Sequence, residues 1–160
     1  MKKLFVMFLL AMPFVAMSQM NSGYTASYSS KFTIASPTYS DKILMLWKDY
    51  ENNTLDKHGD FISDTVTMMH AGGAMVKGKA ENLKNVKEFR GSIQNYKVSL
   101  DAWISLKSTD KNENVVCVWG TEEFTDKDGK HVKQRTHEVW KFNKDGKVDL
   151  MLQYAGVEGM

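Results

Sequence analysis

The chain has 160 residues, 21 of them Lys or Arg and 19 Asp or Glu, with a single cysteine. Lys2 and Lys3 fall in a segment that reads as a cleaved export signal, and taking them from the 21 leaves 19 basic against 19 acidic side chains. Such a balance gives nucleic acid no clustered positive surface to bind, and one cysteine cannot form an internal disulfide.

Met1-Lys2-Lys3 is a short basic start, and Leu4 to Ala16 is an apolar run broken only by Pro13. Ala16-Met17-Ser18 then fits the small-x-small rule for signal cleavage. The run falls short of the ~20 apolar residues that a membrane-spanning helix needs; an uncleaved anchor is the alternative. No cysteine stands at the cleavage point to carry a lipid. Residues 1–18 are therefore expected to be a signal peptide, Gln19 the mature start, and the protein periplasmic or secreted with no membrane contact afterwards. Residues 19–38 are rich in Ser, Tyr, Gly and Thr and read as a flexible leader or extended arm, and residues 39–156 as one domain.

Ser40 is expected to cap a first helix, with apolar residues following at Ile43, Leu46, Trp47 and Tyr50. A short second helix is expected over Leu55–Phe61. Thr65 to His70 reads as a strand, Ala71-Gly72-Gly73 as a turn, and Ala74 to Lys77 as the returning strand. After Gly78 the spacing of Leu83, Val86, Phe89 and Ile93 predicts a third helix over Lys79–Ser92. Tyr96 to Lys107 alternates strictly through Val98, Leu100, Ala102, Ile104 and Leu106, as a long strand should.

Three further strands fill Val115 to Tyr154. They are joined by two near-identical turns, Asp126-Lys127-Asp128-Gly129-Lys130 and Asn143-Lys144-Asp145-Gly146-Lys147, where Asp-Gly supplies the positive φ of a tight hairpin. The expected fold class is α+β, three N-terminal helices packed on a curved, mostly antiparallel sheet.

Phe61-Ile62-Ser63-Asp64-Thr65-Val66, Val76-Lys77-Gly78-Lys79, and His137-Glu138-Val139-Trp140-Lys141-Phe142 with Asp145-Gly146-Lys147-Val148 follow one another in an order that resembles the nuclear transport factor 2-like superfamily, especially its SnoaL-like branch. The resemblance covers nearly all of Ser40 to Tyr154. It implies a cone-shaped sheet around a cavity closed by helices, often dimeric through the outer sheet face. It also implies isomerase, cyclase, dehydratase or epoxide hydrolase chemistry in some members and ligand binding or assembly in others. Set against ketosteroid isomerase, Glu138 takes the place of the protonated acid of the oxyanion hole. Met69 stands where the catalytic base belongs, with His70 adjacent, and the helix tyrosine falls near Met45 to Trp47, one turn before Tyr50. The missing base argues against a steroid-isomerase mechanism.

With Glu138 inward, its strand also sends in Gln134, Thr136 and Trp140. By alternation the neighbouring strands contribute Cys117, Trp119, Thr121 and Glu123, then Met151 and Gln153, and Val98, Leu100 and Ala102. Trp47 and Met69 complete the expected lining, an apolar pocket with a few convergent polar groups. Burial beside Trp140 should raise the Glu138 pKa and suit it to act as a general acid; the alternative is a structural carboxyl paired with Gln153. The opposite face would carry Trp103, Val116, Val118, Val139, Leu150, Leu152 and Tyr154, an apolar surface that a homodimer would bury. The rival is an inverted assignment of the two faces. Cys117 reads as a buried inert thiol. His58 and His131 read as solvated or turn residues and His137 as outward, while His70 stands near the missing base. No metal-ligand spacing occurs, and no cofactor is expected.

Two functional classes follow. One is an exported, non-catalytic domain binding an apolar small molecule. The other is a lyase, isomerase or hydrolase using Glu138 with Tyr50 or His70.

Overall fold

A computed structural model describes residues 23–157. The expected export signal lies outside the described residues. In chain order the elements are β1 (Phe32–Ile34), α1 (Pro37–Asn52), a 3-10 turn (Gly59–Phe61), β2 (Ile62–Met69), β3 (Met75–Lys77), α2 (Lys79–Ser92), β4 (Gln94–Ser108), β5 (Glu113–Thr125), β6 (His131–Phe142) and β7 (Val148–Val157). One seven-stranded sheet runs β1-β4-β5-β6-β7-β2-β3. All its pairings are antiparallel except β2 with β7. Among the described residues no helix is long and apolar enough to cross a membrane.

The α+β class stands, with two α-helices where three were expected. α1 begins before Ser40, because Ser36 Oγ accepts the Thr38 N–H at 3.3 Å and Pro37 has the backbone angle a first helical turn requires. Ser40 is buried inside the helix and donates its hydroxyl to the Pro37 carbonyl at 2.8 Å. The buried stripe Ile43, Leu46 and Trp47 faces the sheet. Asn53, at φ 58°, ends the helix, and the Thr54 N–H folds back onto the Asp49 carbonyl at 2.8 Å. Residues 54–58 are consumed by these turns, which leaves too little chain to nucleate a second α-helix. Phe32–Ile34, expected within the leader, pairs with Leu106–Ser108 and so behaves as an extended arm.

The hairpin turns carry the geometry read from their sequences. Gly129 and Gly146 have φ of 80° and 68°. Asp126 Oδ1 accepts the N–H groups of Asp128 and Lys130, and Asn143 Oδ1 those of Asp145 and Lys147. The first turn sets Thr125 opposite His131 and, counting back, Val118 opposite Glu138. Residues opposite each other share a face. The inner face of β5 is therefore Val116, Val118, Gly120, Glu122 and Phe124, and the expected inward set Cys117, Trp119, Thr121 and Glu123 points outward. Val116 and Val118, expected outside, are fully buried in the core with Ile43, Trp140, Phe142 and Val148. Burying each such side chain stabilises the fold by roughly 1.5–3 kcal/mol.

β4 departs from strict alternation. A bulge between Leu100 and Ala102 reverses its phase, so Trp103 stands opposite Val118 and Ser105 opposite Val116, while Ala102 is exposed. The same point needs Gly120, opposite Leu100. A Cβ there would sit 2.8 Å from the Ser99 carbonyl oxygen and 3.2 Å from Leu100 Cδ2. Gly120→Ala is expected to cost about 1–3 kcal/mol by forcing the two strands apart where the sheet bends. Thermal unfolding checks this; an unchanged melting temperature would show that the sheet absorbs the methyl group without strain.

Candidate functional site

A cavity of about 550 Å³ lies between α1, α2 and the inner face of the sheet. Its walls are mainly apolar, from Leu46 and Ile62 through Leu83, Val86 and Met151. A shallower hollow over Asn53–Lys57, Lys87 and Gly91 is lined by turn backbone and largely exposed side chains, among them the Lys87–Asp56 ion pair.

Glu138, in the wall and 5 % exposed, accepts three hydrogen bonds. Trp47 Nε1 and Trp140 Nε1 donate to Oε2 at 2.7 and 2.8 Å, and Gln153 Nε2 donates to Oε1 at 3.0 Å. Burial pushes its pKa up to about 8, helped by the nearby Glu122 charge and opposed by the three donors. A carboxyl group with that pKa carries its proton at neutral pH.

Glu122 is a second buried carboxyl, 6 % exposed, in the same wall. It accepts from the Tyr96 hydroxyl at 2.6 Å, Gln134 Nε2 at 2.8 Å and Thr136 Oγ1 at 2.9 Å. Burial first, and then the Glu122 charge, drives the Tyr96 and Tyr50 phenols far above the usual tyrosine range. Both stay protonated. Their rings meet edge to face with centroids 4.9 Å apart, and Arg90 presents its guanidinium to both at 5.9 and 5.2 Å. Arg90 is itself fixed by the Tyr50 and Glu51 carbonyls at the end of α1.

His70 follows the strand parity of Val66 and Met68, which turns it into the cavity and turns Met69 away. Asn82, 1 % exposed, donates both amide hydrogens to the Val76 and Gly78 carbonyls, at 3.1 and 2.8 Å. Its Oδ1 is thus left to accept from His70 Nε2 at 3.1 Å. In the neutral ring the lone pair then resides on Nδ1. Gln153 Oε1 takes the Ala71 N–H at 3.0 Å, linking the Glu138 carboxyl to the loop beside His70.

Glu138, Tyr50 and His70 therefore share one cavity, with Trp47, Gln134, Trp140, Met151 and Gln153 in its wall. Thr136 sits behind the wall, fastening Glu122. The other expected lining residues lie elsewhere. Leu100 packs into the core beside the cavity. Met69 is out of phase with Met68. Trp119, Thr121 and Glu123 are on the outer face of β5, where Trp119 stacks on His137 at 4.8 Å and Glu123 lies 3.6 Å from Lys133. Cys117, on the same outer face, has its thiol pKa raised by burial, in keeping with an inert group. His58 is not simply solvated: its Nδ1 lies 2.8 Å from the buried Asp49 carboxylate. The residue missed at the sequence level is Glu122. Counting four residues towards the turn along each strand of the first hairpin from the Glu138–Val118 pair would have found it opposite Gln134. Among the described residues no group of three or more His, Cys, Asp and Glu side chains is placed to hold a metal ion.

No family model and no curated protein matches the sequence. Solved structures do match the fold. A LEH-like epoxide hydrolase from M. tuberculosis has a TM-score of 0.60 at 13% identity, over 74% of this chain and 82% of that one. A nuclear transport factor 2-like protein of unknown function from Burkholderia pseudomallei has a TM-score of 0.60 at 16% identity, over 72% and 88%. SalBIII, an epoxide hydrolase/cyclase-like enzyme of pyran ring formation in the polyether salinomycin, has a TM-score of 0.57 at 14% identity, over 74% and 91%.

Proposed function

We propose that this chain, built on the nuclear transport factor 2-like cone, is an exported ligand-binding protein whose cavity takes a small molecule with an apolar body. The observation that carries this reading is the cavity itself, about 550 Å³ of mainly apolar wall with polar groups concentrated at two carboxyls. That volume and make-up suit a small-molecule site. Each carboxyl is already held by protein donors, so the polar groups act as fixed recognition points. Export is supported by the basic start, short apolar run and Ala16-Met17-Ser18 of the sequence.

A second reading, acid–base catalysis, is favoured by one specific arrangement. Glu138 holds a proton at neutral pH, and the His70 ring is held by Asn82 with its lone pair on Nδ1. One group can give a proton and the other can take one within the same cavity. The epoxide hydrolase-like neighbours lend this reading a reaction class of the right kind.

Nile red, a neutral dye that brightens in apolar surroundings, is expected to bind the wild type. Ala74→Trp should abolish that binding with little change in melting temperature, because Ala74 lines the cavity yet is exposed at its mouth. A wild type that leaves the dye dark would overturn the cavity reading. Chromatography coupled to mass spectrometry of carried-over small molecules, before and after incubation, separates the two readings: unchanged mass and retention belong to the first, a change in either to the second, since isomerisation alters retention without altering mass.

A further inference from the structure

The chemistry of the cavity wall narrows its occupant further. The wall contains two buried carboxyl groups, Glu122 and Glu138, and no Lys or Arg among its described residues. Its only basic side chain is His70, hydrogen-bonded to Asn82. The amides of Asn82, Asn85, Gln134 and Gln153 and a set of aromatic rings supply the rest of the polarity. Tyr50 meets Tyr96 at 4.9 Å, Tyr96 stacks near Phe124 at 6.5 Å, and Phe124 meets Phe89 edge to face at 6.1 Å. At Glu138 the indoles of Trp47 and Trp140 turn their N–H edges to the carboxyl.

We infer that the ligand is an organic cation, a quaternary or protonated amine on an apolar body, held by these aromatic faces and balanced by Glu122 and Glu138. The inference rests on the cavity reading above and specifies its ligand class. A cation gains from the ring quadrupoles, and most when it is out of water. It also gives a counter-charge to the Glu122 carboxylate, and to Glu138 once that group ionises, in a poorly hydrated space. A neutral ligand would bring no counter-charge beyond the protein donors that already hold each carboxyl, and an anion would meet the charge of Glu122. The fold already seats one cation on such rings: Arg90, outside the wall, presents its guanidinium to Tyr50 and Tyr96.

A pH dependence follows. The groups facing the ligand are Glu122, Glu138, Tyr50, Tyr96 and His70 from the wall, with Arg90 beyond the tyrosine rings. Only the ionised form of Glu138 attracts a cation, so affinity should rise with pH through the region of about 8 where that group loses its proton. A quaternary ligand has no proton of its own to confuse the profile.

The test displaces Nile red with benzyltrimethylammonium and with its neutral carbon isostere, neopentylbenzene. At pH 9 the cation is expected to bind about tenfold or more tighter than the isostere, since desolvated cation–π contacts and a facing carboxylate add at least ~1.4 kcal/mol. That preference should shrink at pH 6 and also in Glu138→Gln, where only the aromatic faces and Glu122 remain, with folding of the variant checked by thermal unfolding. An isostere that binds as well as the cation at pH 9 overturns the inference and leaves the cavity reading standing. If neither compound binds and the dye stays dark, both fall. The wild-type comparison decides the matter even if the variant fails to fold.

Discussion

Replacing Glu138 with alanine is expected to lower the unfolding free energy by about 3–5 kcal/mol, whereas glutamine at the same position should cost only about 1 kcal/mol. The difference lies in what is left behind. Alanine abandons the Trp47 and Trp140 indole N–H groups and the Gln153 amide, all directed at a carboxyl that is 5 % exposed. Each orphaned buried donor costs roughly 1–3 kcal/mol, and relief of the carboxyl's own burial returns part of the total. Glutamine keeps an oxygen for the two indoles. Its amide hydrogens then face Gln153, which must turn and weaken its hold on the Ala71 N–H. Urea unfolding at pH 6 measures both variants. Equal stability of the alanine variant and the wild type would sink the account of Glu138 as the acceptor that knits α1, β6 and β7 together.

Stability itself should fall as pH rises from about 4.5 to about 8. Glu138 has an ordinary value of 4.5 and a folded value near 8, so across that window the folded chain keeps a proton that the unfolded chain has released. Every unit of pH then favours unfolding by up to about 1.4 kcal/mol, a loss on the order of a few kcal/mol once water entering at the mouth is allowed for. Asp64, Asp110 and Glu113 work the other way. Their pKa values are lowered in the folded state, chiefly by hydrogen bonds from Lys79, Ser29 and Tyr28, so their contribution is lost only on acidification below the normal carboxyl range. Unfolding curves at pH 6 and 8.5, for wild type and Glu138→Gln, isolate the Glu138 contribution by difference. A slope that survives in the glutamine variant would place the titrating group elsewhere.

Much of this arrangement was readable from short-range chemistry. The Asp126–Lys130 and Asn143–Lys147 turns announce themselves because positive φ and a side-chain acceptor at the first residue are local requirements. Glu138 is recognisable as inward because β6 alternates cleanly between turns of known length. α2 has the expected bounds because Gly78 and the 3.6-residue spacing both act within a few residues. What escaped depends on partners distant in the chain. The β4 bulge is invisible in Val98, Leu100, Ala102, Ile104 and Leu106, all small or apolar on either phase. β5 reads as apolar on both faces, so only the pair count from the turn decides that Val118 and Glu122 go in. Met68, Met69 and His70 offer no alternation of their own, so the direction of His70 follows from the buried parity of Val66 and Met68 and from Asn82, twelve residues later, which holds it.

The residues before α1, which look like a tether, have a different consequence. β4, β5, β6 and β7 are long strands, whereas both borders of the sheet are strands of three residues, β1 against β4 and β3 against β2. Short border strands present little backbone of their own for another chain to pair with. β1 satisfies the margin of β4 from Leu106 to Ser108, and the Ala35 N–H donates to the Ser105 carbonyl at 2.9 Å. A chain trimmed to begin at α1 would keep its cavity but expose that margin to its neighbours. The segment closes the Leu106–Ser108 stretch of that margin and contributes no residue to the cavity wall.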